Sequence, residues 1–286
     1  MFDLHLLVHA LEHGLLDSIK LLPFLFLTYL LMEFLEDRMN EKAKNSLMKA
    51  EKSGPVWGAV LGMLPQCGFS AAASNLYVGR IITMGTLISI YLSTSDEMLP
   101  IMISEAVPVV EIAKILAIKV VIGMVAGMGI DFVMQNLMHK ELDEPDIHHF
   151  CEHEHCECGN GILKPAIRHT VQIWLFIFII TIVLNVVIEL VGLENLSNSF
   201  LSVPVIGEML IGLIGLIPNC ASSVLITQLY LSEVISFGTM MTGLLVGAGV
   251  GILILLRVAE DKKDALRIIG LLYVIGVVSG VVLNLL

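Results

Sequence analysis

A chain of 286 residues, 56% hydrophobic and only 15% charged, is not built like a soluble domain, in which about a quarter of the residues are charged. Its mean hydropathy of +0.88 makes lipid the expected solvent for most of the surface, and its net charge of −11 argues against a nucleic-acid partner. The five cysteines suggest no disulfide framework, because Cys67 and Cys220 lie in apolar segments and the other three crowd into one loop.

From the amino terminus, His5, His9, His13 and Asp17 recur at four-residue spacing, which on a helix places them along one slowly drifting face beside Glu12. Such a row can bind a divalent ion near an outer mouth; solvated histidines on an interfacial helix are the alternative. The first apolar segment, 15–36, is long enough to cross a bilayer, and its acidic, His-rich leader is unlike the basic leader of a secretory signal. Four more apolar segments follow at 55–79, 81–95, 97–110 and 111–135. Segment 81–95 rises only about 22 Å, against a hydrocarbon core of about 30 Å. Either all five segments cross with steep local distortion, or 55–79 is a re-entrant hairpin and 81–110 is one broken helix.

Two features of this first half carry chemistry. Pro65 falls in mid-segment and is followed by Gln66, Cys67 and Gly68, with Ser70, Ser74 and Asn75 just beyond. Proline breaks the helical ladder, and unwound backbone at membrane depth survives only where protein or a cavity satisfies it. A kinked helix with its freed carbonyls capped by hydroxyls is the plainer reading. Next, Asp96 and Glu97 interrupt apolar sequence, with Pro100 just beyond. A carboxylate at the bilayer centre costs about 3 kcal/mol even on lenient scales, so such groups usually face a functional cavity. Ending a short segment at an interface is the alternative.

The central stretch 136–163 contains His148, His149, Cys151, His153, His155, Cys156 and Cys158. That density of nitrogen and sulfur donors suits capture of soft or borderline metal ions, while the spacing lacks the pairing of a defined zinc fold. A flexible chelating loop is expected.

The second half, 164–286, repeats the first, 1–135. At an offset of 153 positions, Leu64-Pro65-Gln66-Cys67 meets Ile217-Pro218-Asn219-Cys220, Leu76-Tyr77 meets Leu229-Tyr230, and Gly127 meets Gly280. Pro218 is thus a second helix break, with Asn219, Cys220 and Ser223 around it, and Cys67 with Cys220 forms a plausible soft ligand pair. The acid pair has no copy: its counterparts are Gly249 and Val250. Loop 37–53 carries five Lys or Arg residues and its equivalent 192–204 none, whereas Arg257, Lys262, Lys263 and Arg267 decorate a loop whose first-half partner 104–114 has only Lys114. The positive-inside rule therefore sets equivalent loops on opposite faces. The expected fold is an all-α integral membrane protein of two inverted-topology repeats, five apolar segments each, with broken helices or re-entrant hairpins at the midplane. Both termini would lie outside and the central loop inside.

These motifs, with Lys20-Leu21-Leu22-Pro23-Phe24 through Met32-Glu33 and Thr94-Ser95-Asp96-Glu97, resemble a bacterial family of ten-helix heavy-metal exporters, also called arsenic-efflux-like proteins or manganese transporters. The resemblance implies a cytoplasmic-membrane protein that exports a metal such as manganese or arsenite. It carries no cofactor beyond the transported ion, and the lipid bilayer is its surrounding. No phosphate-binding Gly-x-x-x-x-Gly-Lys loop or ATPase aspartyl motif is visible, so a secondary transporter is expected and an enzyme is not. Proton or sodium coupling would drive it. An ion-coupled permease for an oxyanion or organic anion, and a non-transporting metal sensor, are the rival readings; the ion and the oligomeric state are not legible.

Overall fold

The computed structural model describes residues 53–64, 67–95, 98–136, 163–191, 205–259 and 261–285, with isolated helical positions at 19, 22, 23, 26, 27 and 30. The described residues are helical or lie in short connections, with no strand among them. Among the described residues the helices with defined bounds run in the order α1 (Gly54–Gly62), α2 (Cys67–Val78), α3 (Met84–Ser93), α4 (Met98–Ser104), α5 (Val109–Asn136), α6 (Leu163–Val191), α7 (Ile206–Gly215), α8 (Cys220–Leu231), α9 (Phe237–Val246), α10 (Val250–Val258) and α11 (Lys262–Leu285).

Local chemistry sets these boundaries. Pro55 opens α1 at a position where its missing N–H costs nothing. Thr83 and Ser236 cap α3 and α9, their hydroxyls accepting from the N–H groups of Thr86 and Thr239. At the far end of α2, Arg80 turns left-handed at φ 56°, and the N–H of Ile81 bonds back to the Leu76 carbonyl. Glu233 ends α8 the same way, at φ 58°, with the Val234 N–H on the Leu229 carbonyl. Both are Schellman endings in which a charged, exposed side chain stands where glycine would be easier.

Arg80 and Glu233 are 153 positions apart, and so are the starts of α2 and α8, of α3 and α9, and of α5 and α11. The tertiary contacts recur with them. α3 packs on α1 and α5, as α9 packs on α7 and α11. Gly85 lies so near Gly127 that a Cβ would strike its carbonyl, and Gly238 stands likewise to Gly280. Such close backbone approach is what small residues permit between helices. Across the halves the partners exchange: α2 lies on α10, and α8 on α4.

Burial is inverted relative to a water-soluble bundle. α3 from Gly85 to Ser93 and α9 from Gly238 to Val246 are buried throughout, and they pack on each other at the centre. Many buried side chains among the described residues are polar or charged, including Ser70, Ser74, Asn75, Ser89, Thr94, Lys119 and Glu208. The outer helices α5 and α11 instead expose aliphatic residues, with Val121 and Val274 each 56% exposed. Water would penalise that surface; hydrocarbon does not. Among the described residues two helical stretches, Phe237–Val258 and Lys262–Leu285, are long and apolar enough to cross a bilayer. α6, with Ala166, Ile173 and Ile177, closes a second apolar cluster against Ala71, Val250 and Ile254, which Phe26 and Leu30 of the first segment also join.

Candidate functional site

The two halves meet where their helices are interrupted. α7 stops at Gly215, the N–H of Leu216 still bonding to Gly212 and that of Ile217 to Ile214. Pro218 has no N–H to continue the ladder, and α8 begins anew at Cys220. Asn219 caps it, its side-chain oxygen accepting from the Ala221 N–H at 3.3 Å, and Ser222 donates to the Asn219 carbonyl at 2.7 Å. Thr227 donates to the Ser223 carbonyl. Ser222 and Thr227 therefore serve the backbone, as a kinked helix requires. Asn219 is buried, and Cys220 is a half-buried cysteine outside any disulfide, at the first turn of α8.

The second interruption separates α9 from α10 at Gly247, Ala248 and Gly249, with Gly249 at φ 54°. One serine from each half borders it. A Cβ on Gly247 would come to 3.7 Å from the Ser223 hydroxyl, and one on Gly251 would press on Ser70. Ser74, one turn after Ser70 on α2, donates into the carbonyls of Ser70 and Gly251, each at 2.8 Å. With its single proton spent there, it accepts from the wholly buried Tyr91 hydroxyl at 2.7 Å. Ser74 thus ties α2, α3 and α10 together. Asn75 is buried next to it.

α3 ends at Ser93, and Ser93 and Thr94 turn their hydroxyls back on the carbonyls of Ser89 and Ile90. The Lys119 ammonium, only 1% exposed, donates to the carbonyl of Thr94 and, at 2.7 Å, to that of Leu244 in the last turn of α9. Lys119 belongs to α5, so one cation bridges the interrupted ends of both halves.

Two carboxylates flank this centre in pseudo-equivalent clusters. Asp131 accepts from the Thr83 hydroxyl at 2.7 Å and the Gly85 N–H at 2.9 Å. At the matching place Asn284 accepts from the Ser236 hydroxyl and the Gly238 N–H, each at 2.8 Å, and donates to Glu208. Glu208 occupies the counterpart of Pro55, and its second carboxylate oxygen is buried with no hydrogen-bond partner among the described residues. A further cross-half pair joins the Tyr77 hydroxyl to Asp264 at 2.6 Å. The counterpart pair, Tyr230 and Glu111, lies near enough for the carboxylate's charge to reach the phenol, yet forms no hydrogen bond.

Of the residues singled out in the sequence, Ser70, Ser74, Asn75, Pro218, Asn219, Cys220 and Ser223 are described, and Ser70 and Ser223 border one break. Pro65, Gln66, Asp96, Glu97, the side chain of Cys67, the His/Cys loop 148–158, and His5, His9, His13 and Asp17 lie outside the described residues. Among the described residues no three His, Cys, Asp or Glu side chains converge on one point. Lys119, Glu208, Asp131 and Tyr91 escaped the sequence reading. Lys119 and Glu208 had a visible signal, an ionisable group within an apolar segment; Tyr91 had none, being one aromatic among many apolar neighbours.

A family model described as "Putative, 10TM heavy-metal exporter" matches residues 17–207, which include the first set of breaks, Lys119, the central loop and the start of α7. No curated protein and no solved structure matches the chain. Buried hydroxyls, amides and charges inside aliphatic, lipid-facing helices are what a multi-pass membrane protein with a polar interior needs, and the match extends over more than half of the sequence: the chain belongs to the ArsP_2 family, multi-pass membrane proteins under that description.

Proposed function

We propose that the protein is a secondary transporter that exports a soft or borderline metal ion by alternating access between two inverted halves. The observation that carries this reading is the set of helix interruptions at equivalent positions of the two halves, one of them bordered by Ser70 and Ser223, inside a lipid-facing shell. The ion would be gathered by His148, His149, Cys151, His153, His155, Cys156 and Cys158, and held by Gln66, Cys67, Asp96, Glu97, Asn219 and Cys220. Alternation is supported by the cross-half tyrosines: Tyr77 is latched to Asp264, while the matching Tyr230 is not latched to Glu111. A proton or sodium gradient would supply the driving force.

An oxyanion or organic-anion permease is the second reading, favoured by the start of α8 at the Pro218 break, where N–H groups present a positive helix end. The two readings part in cells with and without the protein, scored for content and tolerance of manganese, cobalt, zinc, cadmium and arsenite. Lower content of at least one metal is expected, abolished by Asp96→Asn with membrane insertion intact. The double change Cys67→Ser with Cys220→Ser should cost most of the affinity for a soft ion, since serine is a hard oxygen donor of similar size. Unchanged metal content across the panel would move the assignment to the anion reading.

A further inference from the structure

Thr94 and Leu244 each present a carbonyl that the helix can no longer use. Thr94 follows the last residue of α3, at φ −55° and ψ 132°, so its C=O points out of the helical ladder. Leu244 lies in the last turn of α9, where Ala248, the N–H that would normally reach back to it, bonds to Val246 instead. The two helices come from different halves and pack on each other, so their negative dipole ends and spare carbonyls adjoin. Interrupted carbonyls and half-helix C-terminal ends at membrane depth are where membrane transporters hold a sodium ion or a proton. Here the position is filled from within the chain. Lys119 reaches both carbonyls with its ammonium, although burying that charge is costly and a hydroxyl, as at Ser222, would suffice to cap a broken helix. Its counterpart in the second half is Leu272, so the fold provides this charge once.

We propose that the Thr94 and Leu244 carbonyls form a monovalent-cation site spanning both halves, and that Lys119 occupies it permanently as a tethered ammonium ion. The protein thereby carries a fixed internal cation at the junction, and no free sodium or potassium ion is needed there to hold the ends of α3 and α9 together. The chemistry recognised is that of a small cation that can sit among carbonyl oxygens, an alkali ion or a primary ammonium. The consequence for transport rests on the reading of these breaks as the transport centre; the site itself does not, so it is tested on stability.

The test uses the full chain purified in detergent. Lys119→Ala removes the tether and leaves a channel to the two carbonyls. Its thermal midpoint should fall below that of the unaltered protein and rise again, saturably, with methylammonium or sodium chloride. Tetramethylammonium, which has no N–H and is too bulky, should leave it unmoved, and the unaltered protein should respond alike to all three salts. Failure of both methylammonium and sodium to raise the variant's midpoint would overturn the proposal. If Lys119→Ala does not accumulate, Lys119→Met carries the test, because it fills the stem's volume without charge. It should be less stable than the unaltered protein and indifferent to methylammonium; a midpoint equal to that of the unaltered protein would equally overturn the idea. Metal efflux measured in parallel keeps the two readings apart: cation rescue of stability without any effect on metal content would sink the transport role and leave the cation site standing.

Discussion

At the scale of single residues, the two halves perform one task with different groups. Asp131 and Asn284 sit 153 positions apart, and each gathers a hydroxyl and a glycine N–H at the start of the neighbouring helix. Both are acceptors through a side-chain oxygen, so the negative charge of Asp131 is not what makes the contact. Asp131→Asn should therefore change stability by less than about 1 kcal/mol, whereas Asp131→Ala orphans two donors and should cost about 1–3 kcal/mol. Denaturant or thermal unfolding in detergent measures both. In the second half the carboxylate has moved to Glu208, where the first half has Pro55, and the Asn284 amide joins the two groups. The asymmetry could be found in the sequence only by aligning the halves and asking where their charges differ. The same comparison isolates Lys119, which faces Leu272.

At the scale of elements, the short helices cannot be understood alone. α1, with 9 residues, rises about 14 Å and α2, with 12, about 18 Å, so neither crosses the hydrocarbon. α1 is held by α3 and α5 of its own half, whereas α2 packs on α10, and α8 on α4, from the other half. The outer ends of these cross-half contacts differ: the Tyr77 hydroxyl is bonded to Asp264, and Tyr230 is not bonded to Glu111. Tyr77→Phe should accordingly cost about 1.5–3 kcal/mol, the worth of a hydrogen bond to a charged acceptor, and Tyr230→Phe less than about 0.5 kcal/mol. Equal losses in the two variants, measured by unfolding under the same conditions, would contradict the asymmetry. Sequence alone pairs Tyr77 with Tyr230 through the repeat. It does not reveal their acidic partners, which lie on helices far along the chain.

At the scale of the whole molecule, loop charge governs how the two halves face the membrane. The lysine and arginine bias predicts that single cysteines placed in 37–53 and in 192–204 react with an impermeant maleimide from opposite sides of the membrane. Labelling from one side would leave two parallel copies. The sequence by itself determined the solvent, because an excess of aliphatic side chains over charged ones can be accommodated only in lipid. It also located the Pro218 break, because a missing N–H is a property of one residue and interrupts the ladder whatever surrounds it. The 153-residue spacing at which helices begin could be read from one dimension too, since equal segments need equal patterns of apolar residues and glycines. Only the tertiary structure decided which breaks adjoin, that Ser74 ties three helices, and that Lys119 ends on carbonyls from both halves. Those contacts join residues as many as 177 positions apart. Their geometry is set by how closely the glycine-lined helices dock, and no local pattern along the chain encodes that distance.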